Sequence, residues 1–163
     1  MRKKPRGQAR VTGHEVARAL RAAYLALHRQ TNACLAPDGV TADQFVLLSA
    51  LTDADGATQQ DLVRRTNSDP NTVRAMLVLL EGRGLVARDP HPADGRAWRV
   101  TLTPDGRRLF KRLWANSDPV RDRLLAAFRS DELTTVVTLL QRVAATMAAD
   151  DGRRTPTAQG ARR

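Results

Sequence analysis

Apolar residues recur at helical spacing along most of this chain and switch to alternation in one stretch only. From His14 onward, Val16, Leu20, Ala23 and Leu27 follow a 4-3-4 spacing that places them on one stripe of a helix. Pro37-Asp38-Gly39 stops that helix. Thr41 and Gln44 make an S/T-x-x-E/Q capping box that opens a second helix through Phe45, Leu48 and Leu51. Asp53-Ala54-Asp55-Gly56 predicts a turn. Two short helices joined tightly come next. Thr58 with Asp61 caps the first, and Asp69-Pro70 supplies an N-cap and a first-turn proline for the second. Val73, Met76, Leu77 and Leu80 form the inward stripe of this second helix, and Gly84 follows it at a position suited to positive φ.

The period then changes. Residues 85–88 and 98–102 read as strands, with Trp98, Val100 and Leu102 alternating against Arg99 and Thr101. The turn formers of DPHPADGRA between them predict a hairpin. Thr103-Pro104 caps a further helix carrying Leu109 and Leu113 and, further on, Leu124 and Phe128; Pro119 should kink or break it. Ser130 is expected to open a last helix, in which Leu133, Val136, Val137, Leu140, Val143, Ala144 and Met147 recur every three or four residues. Helix, helix-turn-helix, hairpin, helices is the order of a mainly α, winged helix-turn-helix domain with a two-stranded wing and extra helices at each end.

Charge narrows the function. The chain has 163 residues, 27 Lys+Arg against 17 Asp+Glu, and a formal charge of +10. Residues 1–12 carry five bases and no acid, and 151–163 carry four arginines and one acid. Within the core, residues 58–112 hold eleven bases and six acids, between weakly acidic flanks. This suits a polyanion bound by the middle segment, with the terminal stretches as basic disordered arms. Solvated tails that aid solubility are the plainer reading of those arms. One cysteine, Cys34, excludes an intrachain disulfide and a Cys-based zinc site. No apolar run reaches the ~20 residues of a membrane helix. The basic N-terminus has no apolar run behind it, so a secretory signal is not expected, and the cytoplasm is the expected compartment.

With its stripe inward, the helix from Asp69 points Asn71 and Ala75 away from the core, flanked by Thr72 and Arg74. Asn and Arg can bond base edges bidentately and Ala can touch a thymine methyl, so this is the candidate recognition helix for double-stranded DNA. Gln59, Arg64 or Arg65, and Ser68 join it as DNA-facing candidates on the preceding helix and turn, where contacts to phosphate position without specifying. In the hairpin, Arg96 sits at the tip with Asp94 two residues away to orient it, and Arg88 and Arg99 lie on the arms. An arginine on a narrow loop is shaped for a minor groove. The plainer alternatives are an ordinary amphipathic helix and a solvated turn.

The stretch TQQDLVRRTNSDPNTVRAMLVLLEGRGLVARDPHPADGRAWRVTLTPDGRRL resembles the MarR family of bacterial transcriptional regulators. DPNTV, LEGRGLV, DP…DGRA and VTLTPDG carry the likeness, which extends over roughly 14–149. The resemblance implies obligate homodimers on a pseudo-palindromic operator, with a DNA-binding part at 58–103 inside a domain at 13–150 and dimerisation helices at 14–36 and 104–149. Val16, Leu20, Leu27, Leu133, Val137, Leu140 and Met147 are then the dimerisation residues. It further implies that Arg96 enters the minor groove with Asp94 as its orienting partner. Two residues depart from the pattern. Gly82 costs about 1 kcal/mol against Ala near the helix end, and Ala75 stands where relatives often carry a larger polar side chain.

The resemblance also implies a small-ligand pocket, for which Arg21, Tyr24, His28 and Asn32 share one face of the first helix. A cation, a phenol and an imidazole there suit an anionic aromatic effector; an unliganded interface is the alternative. Cys34 lies on the apolar stripe and reads as a buried structural thiol, since Tyr24 is the sole tyrosine and oxidant-sensing relatives pair the cysteine with tyrosines. The three histidines lack ligand spacing, so no metal or cofactor is expected. No nucleophile stands with a base, so no catalytic residue and no enzyme is expected. DNA binding follows from the residues, and the resemblance implies a homodimeric repressor released by a small ligand, with an architectural protein that coats DNA through its basic arms as the alternative.

Overall fold

A computed structural model describes the backbone at residues 11–52, 56–91 and 94–151, and side chains at all of these except 91, 94–96 and 149–151. The expected turn at 53–55 and nearly all of both basic arms lie outside the described residues. The elements are α1 (Gly13–Leu35), a 3-10 turn (Ala36–Asp38), α2 (Ala42–Thr52), β1 (Ala57–Thr58), α3 (Gln59–Thr66), α4 (Pro70–Gly82), β2 (Val86–His91), β3 (Asp94–Leu102), α5 (Pro104–Asn116), α6 (Asp118–Leu125) and α7 (Leu133–Asp151). The chain divides after Arg121 into two units. No helix among the described residues is long and apolar enough to cross a membrane.

The first unit holds the core. α2, α3, α4 and α5 turn Leu47, Leu48, Leu51, Leu62, Val73, Leu77, Leu80 and Leu113 inward, and Leu35 at the end of α1 joins them. Burying each such side chain contributes about 1.5–3 kcal/mol. Side-chain caps fix where the helices begin. Thr12 and Glu15 form a capping box on α1, so Thr12 belongs to the helix start and not to the basic arm. Thr41 and Gln44 exchange bonds of 3.1 and 3.2 Å at the start of α2. Thr58 and Asp61 box α3, while the Asp69 carboxylate accepts the amides of Asn71 and Thr72 on α4. Gly84 takes the left-handed conformation at φ 68°, which lets the chain leave α4 for β2.

The sheet has three antiparallel strands in the order β1-β3-β2, one more than the hairpin read from sequence. β1 is two residues long and pairs Ala57 with Val100 and Thr58 with Arg99. The hairpin is also longer than expected, pairing Arg88 with Val100, Asp89 with Arg99 and Pro90 with Trp98 before a shift at His91. β2 is an edge strand, where a proline without an N–H is tolerated. Val100 and Leu102 are buried as their alternation predicts, but Trp98 on the same face is 58% exposed, because the hairpin runs out past the helices.

The break expected at Pro119 is present, and the segment forms two helices. α5 ends at Asn116, and Pro119 sits in the first turn of α6, where its missing N–H forfeits no bond. In the second unit α7 starts at Leu133 and not at Ser130. The Glu132 carboxylate accepts the Arg129 amide at 2.9 Å and Arg129 pairs with Asp131, so residues 129–132 form a turn ahead of the helix.

Candidate nucleic-acid interface

α3 and α4 are joined by a three-residue turn in which Asn67 adopts φ 49°, and the Ser68 amide closes it onto the Val63 carbonyl. Within this frame α4 divides cleanly: Val73, Met76, Leu77 and Leu80 are buried, and Asn71, Thr72, Arg74 and Ala75 are exposed. The periodicity predicted that split, because one helical face packs on the core and the opposite face is left to a partner.

The other candidates are distributed unevenly. The Gln59 side-chain amide donates to the Pro70 carbonyl at 3.3 Å, locking the start of α3 to the start of α4. Arg64 pairs with Asp61 on its own helix and remains largely exposed, while Arg65 donates to the Ala50 carbonyl at 3.1 Å. The Ser68 hydroxyl donates to the Thr66 carbonyl within the turn. The Asp61 carboxyl is held below its ordinary pKa, first by the Thr58 hydroxyl and then by the Thr58 amide.

Arg88, a DNA-facing candidate on the hairpin arm, is turned back onto α4. It is half-buried and pairs with Glu81 near the end of α4, so it braces strand β2 against the recognition helix. The bond from Arg88 holds the Glu81 carboxyl below its usual range, and the same bond raises Arg88. Arg99 is half-buried opposite Thr58, and its side chain runs over Gly56 so closely that a Cβ there would lie 2.8 Å from its Cγ. The backbone of Asp94 and Arg96 is the first stretch of β3, and their side chains lie outside the described residues.

The α1 face named for a ligand is also engaged. The Tyr24 and His28 rings lie 5.5 Å apart, and His28 contacts Asn32 at 3.0 Å and Asp43 at 3.3 Å. Asn32 in turn accepts the Ala42 amide at 2.7 Å, capping the first turn of α2 from α1. Two of the four, His28 and Asn32, therefore tie α1 to α2 with Tyr24 stacked against His28, while Arg21 lines a shallow depression with Glu15, Arg18 and Leu25. Cys34 is half-buried and not fully enclosed.

Two clusters were not legible beforehand. The Asp38 carboxylate receives Arg112 at 2.8 Å and Asn116 at 3.1 Å, while Arg83 after α4 donates to the carbonyls of Asp38 and Gly39. From sequence, Asp38 reads only as a turn former between Pro37 and Gly39. Phe45, Phe110 and Trp114 form an aromatic group on α2 and α5, with the Arg121 guanidinium 4.1 Å from the Trp114 ring. Their separation in sequence hid them.

Comparison with known proteins places this frame. The model of the MarR family matches residues 38–97. The HTH-type transcriptional repressor Rv2887 of Mycobacterium tuberculosis is 31% identical over 117 residues, which are 72% of this chain and 84% of that protein. Among solved structures, BpsR of Bordetella bronchiseptica, described for regulation of its DNA binding by 6-hydroxynicotinic acid, is 32% identical with a TM-score of 0.72. That match covers 80% of this chain and 98% of the other. A cysteine-to-serine mutant of MarR from E. coli, complexed with operator DNA, is 27% identical with a TM-score of 0.73, over 78% of this chain and 92% of that one. The winged helix-turn-helix, its capped recognition helix and these relatives together establish that the chain belongs to the MarR family of transcriptional regulators.

Proposed function

We propose that the chain is a homodimeric repressor that binds a pseudo-palindromic operator and lets go of it on binding a small aromatic ligand. The observation that carries the reading is the division of α4, whose exposed face offers Asn71, Thr72, Arg74 and Ala75 ahead of a long two-stranded wing. Residues 58–103 form the DNA-binding part of a domain at 13–150. Arg96, oriented by Asp94, enters the minor groove beside the major-groove helix. The basic arms at 1–12 and 151–163 add phosphate contacts. The helices at 14–36 and 104–149 carry dimerisation, supported by exposed Val16 and Leu27 on α1 and Val137, Leu140 and Met147 on α7. The cytoplasm is the compartment in which such a regulator meets DNA.

For the effector, the α1 face is a poor seat, since His28 and Asn32 already have partners. Two adjoining depressions that share Ser49 fit better: Phe45, Phe110 and Trp114 supply aromatic walls, with Lys111 and the guanidinium donors of Arg65 that its bond to the Ala50 carbonyl leaves over as cations for an anionic group. The BpsR description, with a hydroxylated aromatic acid as regulator, is in keeping with that chemistry.

Selection of bound duplexes from a random library, at low and moderate salt, tests the reading. A two-fold symmetric consensus with half-sites about one helical turn apart is expected. Unselective recovery at low salt that vanishes at moderate salt would replace it with an architectural, arm-driven protein.

A further inference from the structure

The outward face of α4 changes chemistry after its first turn. At 100° per residue the line opposite the core runs through Asn71, Ala75, Val78 and Gly82, with Arg74 on one flank and Leu79 on the other. All six are exposed, Val78 by 51% and Leu79 by 58%. A position added at Gly82 would meet nothing within 4 Å, so the helix end can come close to whatever lies across from it. The face carries no free acid to repel a polyanion. Glu81 is paired with Arg88, and the Asp69 carboxylate accepts two amides of its own helix. Hydrogen-bonding side chains on this face therefore end at Arg74, and the exposed positions Ala75, Val78 and Leu79 offer carbon.

The major groove presents one apolar group that projects toward such a surface, the C5-methyl of thymine; the other features that tell the base pairs apart are donors and acceptors. We propose that Ala75, Val78 and Leu79 read thymine methyl groups, so that this helix recognises sequence by hydrogen bonds at Asn71 and Arg74 and by apolar contact beyond them. The inference rests on the DNA-binding reading above and adds what the helix selects. Short, branched side chains suit the task, because they fill the space around a methyl group without wedging the bases apart. A polar residue at Val78 or Leu79 would bring a donor or acceptor to the same place and select a different base.

Deoxyuridine pairs as thymidine does and lacks only the methyl, which makes the test direct. Each thymine of the selected half-site is replaced singly by deoxyuridine, and affinity is measured at fixed salt. At two or three positions affinity is expected to fall about fourfold, the effect of leaving one methyl group unburied. Val78→Ala and Leu79→Ala should each abolish the response at one position and keep it at the others, while retaining the wild-type melting temperature. Val78→Asn, which sets an amide where the branched methyls stand, should lose the response as well. A wild-type protein that selects a consensus but binds its uracil-substituted form equally well overturns the methyl reading and leaves the DNA-binding one standing. Failure to select any consensus removes both. If Val78→Ala and Leu79→Ala instead abolish a concentration-dependent self-association without altering thymine dependence, the face is a protein contact and the proposal is wrong.

Discussion

Gly106 is buried in the first turn of α5, where an added Cβ would strike the Leu85 carbonyl oxygen. That carbonyl cannot yield easily, since it accepts the Thr103 amide at 3.1 Å. Gly106→Ala should therefore destabilise the protein by about 3 kcal/mol, at the upper end of what overpacking costs; a urea melt within 0.5 kcal/mol of wild type, the scatter of a neutral surface change, would mean that α5 shifts freely. Sequence motifs marked this glycine only as a family letter, because its reason lies in a backbone far away along the chain. The burial of Val73, Met76, Leu77 and Leu80 was legible, since a 3.6-residue period is a local property. Arg88 was not: no local signal says whether a strand arginine meets solvent or a glutamate on the preceding helix.

At the scale of elements, the recognition helix is held at its C-terminal end by two polar ties. One is Arg88 with Glu81, which fixes the wing to α4; the other is Arg83, which donates at 2.7 Å to Gly39 and 3.0 Å to Asp38 in the turn between α1 and α2. Because Arg88 lowers the Glu81 pKa below its ordinary 4.5, the first tie is complete above that pH and is lost as acid titrates the folded-state carboxylate. Glu81→Gln should then behave at neutral pH as the wild type does in acid, with weaker operator binding and faster amide exchange in β2. Equal exchange in the two proteins at pH 7 would rule the tie out as a wing brace. Arg83→Ala should lower operator affinity several-fold while costing about 1 kcal/mol of unfolding free energy, the usual worth of surface-exposed hydrogen bonds. Unchanged affinity in a titration would confine Arg83 to stability. Element starts were readable from caps at Thr41, Thr58, Asp69 and Thr103, each a local exchange of side chain for amide. Elements defined by distant pairing were not, as β1 and the full length of the hairpin illustrate.

For the whole molecule, the question is what covers the apolar faces that the core does not use. α7 exposes Val137, Leu139, Leu140, Val143 and Met147, and α1 exposes Val16 and Leu27 along one stripe with Tyr24 beside it. A helix with such a stripe buries it against something, and single exposed residues of this kind would need no explanation where a continuous row does. In the homodimer proposed above, a second copy supplies a matching row by symmetry, and its two-fold axis presents two α4 helices to the two halves of an operator. The prediction that separates this from a solvated helix is Val137→Asp. The site is 54% exposed in one chain, so the substitution leaves the core of the first unit untouched. A carboxylate buried in a dimer interface without a partner costs several kcal/mol, far more than it does on a wet surface. Light scattering should therefore report a monomer for Val137→Asp at concentrations where the wild type is a dimer, with the thermal transition of the winged domain retained. Operator affinity should fall much further than affinity for a single half-site, because only the paired protein engages both halves at once. A monodisperse dimer from Val137→Asp would place the interface elsewhere on the chain.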